Sequence, residues 1–254
     1  MSGAGTILWK EAHELYLRKG KPARATWVSL VFACFIGIVA PLLLILGLFQ
    51  FRTPAQVGFN IFLLGLGGGV LSGYFTPLSL AVDQTAGERE RHTLETMLAG
   101  PLTDRAIWTG KLGLIVLSGM VQALVIAVLA SLVALVLRGP GAFPALLAIP
   151  LGPLAAGLLG LPVTALGIAI GSKASTVKAG QQTFSLALMP FFLLLNFSFS
   201  GIAVVLNELS LRYGRSFITL AIPLAALVYV VLTGLAILWA DRRFRRAKLL
   251  QVKV

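Results

Sequence analysis

The chain reads as an all-α, polytopic membrane protein with six transmembrane helices. An amphipathic interfacial helix precedes the first, and a short cytoplasmic helix lies between the second and third. Three observations carry this reading. First, 57% of the 254 residues are hydrophobic and only 12% are charged, with a mean hydropathy of +0.92. A soluble domain carries about a quarter charged residues, because its surface must be covered with polar groups. Second, six charge-free runs each exceed the roughly 20 residues a helix needs to cross about 30 Å of hydrocarbon. They are Ala25–Phe51, Thr53–Val82, Leu112–Leu137, Gly139–Ser172, Ala179–Asn207 and Ser216–Ala240. Third, the cationic residues fall almost wholly on one side of those runs. The runs are continuously apolar and lack the alternation of a membrane barrel, so they are helices rather than strands.

Counting Lys and Arg on alternate sides gives the orientation. One side holds seventeen, in the stretches Lys10–Arg24, Arg89–Lys111, Lys173–Lys178 and Arg242–Lys253. The other holds Arg52, Arg138, Arg212 and Arg215, which together make up all 21. Cytoplasmic loops collect such residues, so both termini and the Glu88 region are read as cytoplasmic. An odd number of spans would scatter the asymmetry. The same argument explains the net charge of +12 as topology rather than nucleic-acid binding, and no nucleic-acid partner is expected. The lone Cys34 sits within an apolar run, so no intrachain disulfide is possible. No cleavable signal is evident, since the first apolar run follows a charged segment and is long enough to span.

Residues 1–25 form the interfacial segment. Leu8, Trp9, Ala12, Leu15 and Tyr16 fall on one arc of a helix, opposite Lys10, Glu11, His13, Glu14 and Arg18. Such a helix lies flat with its aromatic rings at headgroup depth. A plain anchor and an elbow that also touches a cytoplasmic partner need the same face, so that choice is open. The spans are expected at about 27–49, 57–82, 112–137, 145–171, 180–200 and 217–240, with 83–111 cytoplasmic and 241–254 a basic tail, all within one membrane domain. The outer connections Arg52–Gln56 and Arg138–Phe143 leave no room for an external domain. The longer Gly201–Ser216 is read as a short interfacial or re-entrant helix, with Val204, Val205 and Leu209 toward lipid.

The segment between the second and third spans concentrates charge. Within Glu88–Leu98, the residues Leu94, Met97 and Leu98 share one helical face by their i, i+3, i+4 spacing. Glu88 with His92, and Arg91 with Glu95, are i, i+4 pairs that help a short exposed helix form. Gly100-Pro101 ends it. Thr103 then caps the next helix, with Asp104 at its positive end, and that helix runs through Trp108 and Lys111 into the third span. The expected product is a short horizontal helix joined rigidly to two spans, such that a push on it tilts both.

At this segment the chain resembles the permease subunits of type-2 ATP-binding-cassette (ABC) exporters. The likeness rests on Glu88-Arg89-Glu90-Arg91, Thr93-Leu94-Glu95, Leu98, Pro101-Leu102, Arg105 and Gly110-Lys111. His92 stands where that family often has Gly, Gly100 precedes the proline, and Thr103 replaces Ser. The resemblance implies that Glu88–Leu98 is a coupling helix seated in a groove of a cytosolic ATPase. Leu94, Met97 and Leu98 would be its docking knobs, and Glu90 and Glu95 would pair with basic groups on the ATPase. It implies two ABC ATPase subunits and a second permease subunit, as a homo- or heterodimer, in a prokaryotic plasma membrane. ATP and Mg would be held by the ATPases. The chain itself shows no G-x-x-x-x-G-K-[ST] nucleotide loop, since Gly110-Lys111 is followed by Leu112, so it is not expected to be an enzyme.

Gly65, Gly69 and Gly73 form two consecutive G-x-x-x-G steps in the second span, and Gly167 and Gly171 a smaller one in the fourth. Small residues every fourth position let helices approach closely in lipid, within one subunit or between two. Pro41, Pro77, Pro162, Pro190 and Pro223 each free a backbone carbonyl and permit a kink. No Asp, Glu, Lys or Arg lies inside a span. A charge there costs roughly 2.5 to 3.5 kcal/mol. Gln122 and Asn196 are therefore the polar candidates for a translocation path, with a helix-to-helix hydrogen bond as the other role for Asn196. An apolar path inclines the cargo toward lipidic or amphipathic molecules. His13 and His92 are far apart, and no metal site is expected. Two other classes remain: an ATP-independent carrier or channel, and a membrane scaffold that recruits an ATPase to an envelope-assembly machine.

Overall fold

The computed structural model describes residues 5–6, 9, 12–13, 17–18, 21–22, 31, 34–43, 54–91, 103–190 and 215–243. The described residues are almost all helical, apart from one two-residue pairing. Among the described residues, three helical stretches are long and apolar enough to cross a membrane: Val57–Glu90, Asp104–Leu137 and Ala142–Gly171. They correspond to the second, third and fourth expected spans.

Trp9 is helical and its ring stacks on that of His13, one turn on, with centroids 5.7 Å apart. The interfacial helix does not run to residue 25, however. Leu17–Arg18 (β1) pairs antiparallel with Lys21–Pro22 (β2). Pro22 fits this, because proline holds the residue before it, Lys21, extended.

Within the first expected span, a π-helical turn at Phe35–Val39 leads into α1 (Ala40–Leu43). The Ala40 N–H bonds the Phe35 carbonyl five residues back. Pro41 follows at once, and lacking an N–H it cannot restore the regular ladder. A Cβ built on Gly37 would lie 2.8 Å from the Leu129 side chain, so this glycine lets the widened turn press on the third helix.

Helix α2 (Pro54–Leu80) has Pro77 in its interior. Helix α3 (Asp104–Arg138) spans 35 residues, about 52 Å at 1.5 Å per residue. Thr103 caps it as expected, its hydroxyl oxygen accepting from the Ala106 N–H at 3.2 Å. Gly139 ends it with φ +67°, a conformation that favours glycine. The link beyond is a 3-10 helix, Gly139–Leu147, rather than a simple turn, and α4 (Ala148–Gly171) begins three residues later than expected. Pro140 and Pro144 remove donors that a regular α-helix would need there. Helix α5 occupies residues 177–190, starting earlier than the expected 180 because Thr176 accepts from the Ala179 N–H. Helix α6 is Arg215–Arg243. The Gly201–Ser216 reading falls almost wholly outside the described residues.

Packing divides by end. Near the Gly139 end, Val57, Ile61, Ala130, Ala134, Ala142 and Ala145 form a cluster of mostly small residues. Near the opposite, charged end, larger side chains from α2 to α5 meet: Tyr74, Val82, Trp108, Ile115, Ile168 and Phe184. Helices α2 and α4 lie along one another between these clusters, with α3 against both. The Tyr229 hydroxyl of α6 donates to the Leu158 carbonyl of α4. Leu117, Val121, Leu132 and Val136 leave an apolar face of α3 exposed, as lipid contact requires.

Candidate functional site

Helix α2 does not stop where its charge-free run stops. After a turn at Ala81–Val82 the chain continues through a π-helical segment, Asp83–Gly87, into the helical turn Glu88–Glu90. Backbone bonds from Ala86 N–H to Val82 and from Arg91 N–H to Gly87 carry it onward. The helical path therefore continues past the expected boundary at Val82 as far as Glu88–Glu90; the rest of the expected Glu88–Leu98 helix beyond Arg91 lies outside the described residues. The extension is held by burial, since Gln84, Thr85, Ala86 and Gly87 are all enclosed. Small partners allow it. A Cβ on Gly167 would fall 2.6 Å from that of Ala81, and one on Gly180 would fall 2.6 Å from Val82 Cγ1.

Successive residues of a helix point about 100° apart. Glu88, Arg89 and Glu90 therefore face three directions, and each meets a different element. Glu88 Oε1 lies 2.7 Å from Lys111 Nζ of α3. The Lys111 side chain has 0% exposure and that of Glu88 has 15%. The same ammonium donates to the Gln84 carbonyl at 2.8 Å and to Gln84 Oε1 at 3.4 Å. Three acceptors thus match its three hydrogens, which a buried lysine requires.

Arg89 donates to the carbonyls of Ser172, at 2.7 Å, and Ala174, at 2.9 Å. Ser172 is the C-cap of α4, where unpaired carbonyls and the negative end of the helix favour a cation. The carboxylate of Glu90 accepts from the Val177 N–H at 2.8 Å. That N–H belongs to the first turn of α5, where a negative charge is favoured. Glu90, expected to face a basic group on a partner, has a carboxylate that accepts from a backbone donor of its own chain.

Two further pairs brace this end. Arg91 lies 3.3 Å from Asp83 across the π segment. Arg105 on α3 lies 4.0 Å from Asp241 on α6. Both arginines are well exposed, so each pair is worth about 1 kcal/mol or less.

Of the other sequence-expected residues, Thr93, Leu94, Glu95, Met97, Leu98, Pro101, Leu102 and Asn196 lie outside the described residues, as does His92. Gln122 Oε1 accepts from the Thr76 hydroxyl at 2.9 Å, which joins α3 to α2. Gly65, Gly69 and Gly73 all face α4 of the same chain. Cβ atoms built on them would meet Ala148, Gly152 and Ala156 in turn, at 2.6 Å for the Ala148 Cβ and 2.6 Å for the Ala156 carbonyl oxygen. Both helices step by four residues along the contact. Among the described residues, no three His, Cys, Asp or Glu side chains are grouped to hold a metal.

Sequence reasoning assigned no role to Lys111 beyond its place in the motif. A signal was present: Ile107, Trp108, Lys111 and Ile115 share one helical face, and the three apolar members are buried. A lysine on a buried stripe needs a counter-charge, and Glu88 supplies it. The partners of Arg89 and Glu90 are backbone groups and carry no sequence signal.

Comparison with known protein families matches residues 70–243 to a family described as ABC-2 family transporter protein. No match is found among curated proteins.

Proposed function

The chain belongs to the ABC-2 family of transporter membrane proteins, and from that premise we propose that it is the membrane subunit of an ATP-driven exporter whose force enters at residues 88–102. Family membership makes it a permease component that works with ABC ATPase subunits and is not itself catalytic. The further reading is that two permease subunits, alike or different, pair around a translocation path in a prokaryotic plasma membrane. Two ATPases, holding ATP and Mg, dock on the cytoplasmic side. Both termini, the interfacial segment and the Glu88 region face that side, and six spans cross the bilayer.

One observation supports this reading most. Residues 92–102 are bounded by two helical roots, Glu88–Glu90 on α2 and the Thr103-capped start of α3, which the Glu88–Lys111 pair joins at 2.7 Å. A segment so anchored transmits a push to both helices, whereas one hung on flexible links would absorb it. ATP can shift the inward-open and outward-open balance only through a difference in ATPase affinity for the two states. That difference has to pass through a stiff element.

The test places carboxylates on the docking face. Leu94→Asp with Leu98→Asp leaves the spans untouched, so membrane insertion should match the parent chain. Copurification of the ABC ATPase should fall at least tenfold, since burying one unpaired charge costs well over 1.4 kcal/mol. Undiminished capture of the ATPase by the double variant would refute docking at this segment.

A further inference from the structure

We propose that Glu88, Arg89 and Glu90 form an intramolecular junction that distributes movement of the 92–102 segment to three other helices at once. This rests on the exporter reading and divides its labour. Positions 94–98 receive the force, and 88–90 pass it on as positioning residues that need not touch the ATPase.

The geometry carries the argument. Three consecutive side chains, each turned about 100° from the last, engage α3 through Lys111, the end of α4 through Ser172 and Ala174, and the start of α5 through Val177. Two of the three engage backbone groups at helix ends. A rotation of the α2 end therefore pulls on the axes of α4 and α5, not on mobile side-chain tips. The α4–α5 link itself is short: Ser172 closes α4 and Thr176 caps α5. Arg89 and Glu90 thus hold both sides of a reversal only a few residues long. Opposite charges are matched to opposite helix ends, the guanidinium to exposed carbonyls and the carboxylate to an exposed N–H. Glu88 and Arg89 are partly buried while Glu90 is exposed, so the outermost contact is the one most easily broken and remade.

This arrangement makes a prediction that an ionic contact with the ATPase does not. The Val177 N–H needs an acceptor, not a full charge. Glu90→Gln keeps a carbonyl oxygen there, while Glu90→Ala removes it. Arg89→Lys retains a donor for the α4 carbonyls, while Arg89→Met has none.

The experiment uses the full transporter in liposomes, in a Cys34→Ser background, with spin labels at exposed Arg105 on α3 and exposed Ser175 in the α4–α5 link. Distances are recorded without nucleotide and after trapping with ATP and vanadate, and the copurifying ATPase is measured in parallel. The parent complex should show an ATP-dependent change in distance. Arg89→Met and Glu90→Ala should lose at least half of that change while retaining the ATPase in full. Arg89→Lys and Glu90→Gln should keep most of it. The junction is overturned if Glu90→Gln behaves like Glu90→Ala, if ATPase capture falls with either Glu90 variant, or if all four variants move as the parent does. If the parent chain captures no ATPase, the exporter reading itself fails and the junction falls with it, an outcome distinguished by the parent sample alone.

Discussion

Lys111 decides how the charged end is built. An ammonium with no exposed surface is tolerable only if its hydrogens are all bonded and a counter-charge is close, and Gln84 and Glu88 meet both needs. Removing one partner of such a pair costs about 3–5 kcal/mol, because the other charge is left buried and unpaired. Removing both together costs less than the two losses summed. Glu88→Ala should therefore destabilise the protein strongly, and Lys111→Met less so, since Glu88 retains a little solvent contact. Lys111→Met added to Glu88→Ala should recover part of the loss. Cys34 supplies the readout: it is the single thiol in the chain and half-buried, so its reaction with a thiol-specific dye during heating follows unfolding in detergent. Strict additivity of the two single variants would show that the pair does not act as a unit. The alternating directions of Glu88, Arg89 and Glu90 were legible from the helical repeat, and so was the buried stripe that holds Lys111. Their partners were not, because backbone carbonyls and N–H groups at helix ends become targets only once α4 and α5 have been brought alongside.

Among the elements, the α2–α4 contact shows how apolar helices choose a neighbour without help from the hydrophobic effect. In lipid the gain comes from close backbone approach, and only small residues allow it. Gly65, Gly69 and Gly73 present that surface to Ala148, Gly152 and Ala156, whereas Gly67 has no atom within 4 Å of where its Cβ would lie. The comparison isolates position from chemistry. Gly69→Ala should lower stability by about 1–3 kcal/mol through overpacking against the Gly152 backbone, while Gly67→Ala should be neutral or stabilising by up to about 1 kcal/mol through helix propensity. Denaturant titration of the two variants measures the contrast, and equal effects would mean that the stripe is not a packing surface. The stripe's four-residue period and the Thr103 cap of α3 could both be read from the chain. The inward extension of α2 could not. Its limit was set by the first charge, Asp83, yet Asp83 lies over a π turn whose next four residues are buried, and nothing in a charge count marks where polar helix gives way to loop. The reversal at Leu17–Pro22 was likewise overlooked because the apolar arc of residues 8–16 is compatible with a longer helix, although Gly20 and Pro22 both oppose one.

For the whole molecule, the asymmetry of cations fixes which end must face the cytoplasm if the exporter reading is right. With six spans, seventeen of the 21 Lys and Arg residues would lie on the side of Glu88, and moving short cationic loops outward is opposed during insertion. The structure gathers that charge at one end: Arg89, Arg91, Arg105, Lys111, Lys173 and Arg242 lie near the ends of α2, α3, α4 and α6, while the 3-10 helix at Gly139–Leu147 and its apolar cluster mark the other. The two ends can be told apart chemically, since Pro140 and Ser175 are both exposed and sit at opposite ends. In a Cys34→Ser background, a membrane-impermeant maleimide added to intact cells should label Pro140→Cys and spare Ser175→Cys. Permeabilisation should make the second site reactive without changing the first. Labelling of Ser175→Cys from outside would invert the molecule and place residues 88–102 beyond the reach of any cytosolic ATPase, so this experiment bears on force entry as directly as the docking variants do. Labelling of both sites from outside would contradict the single crossing by α4 that separates Pro140 from Ser175.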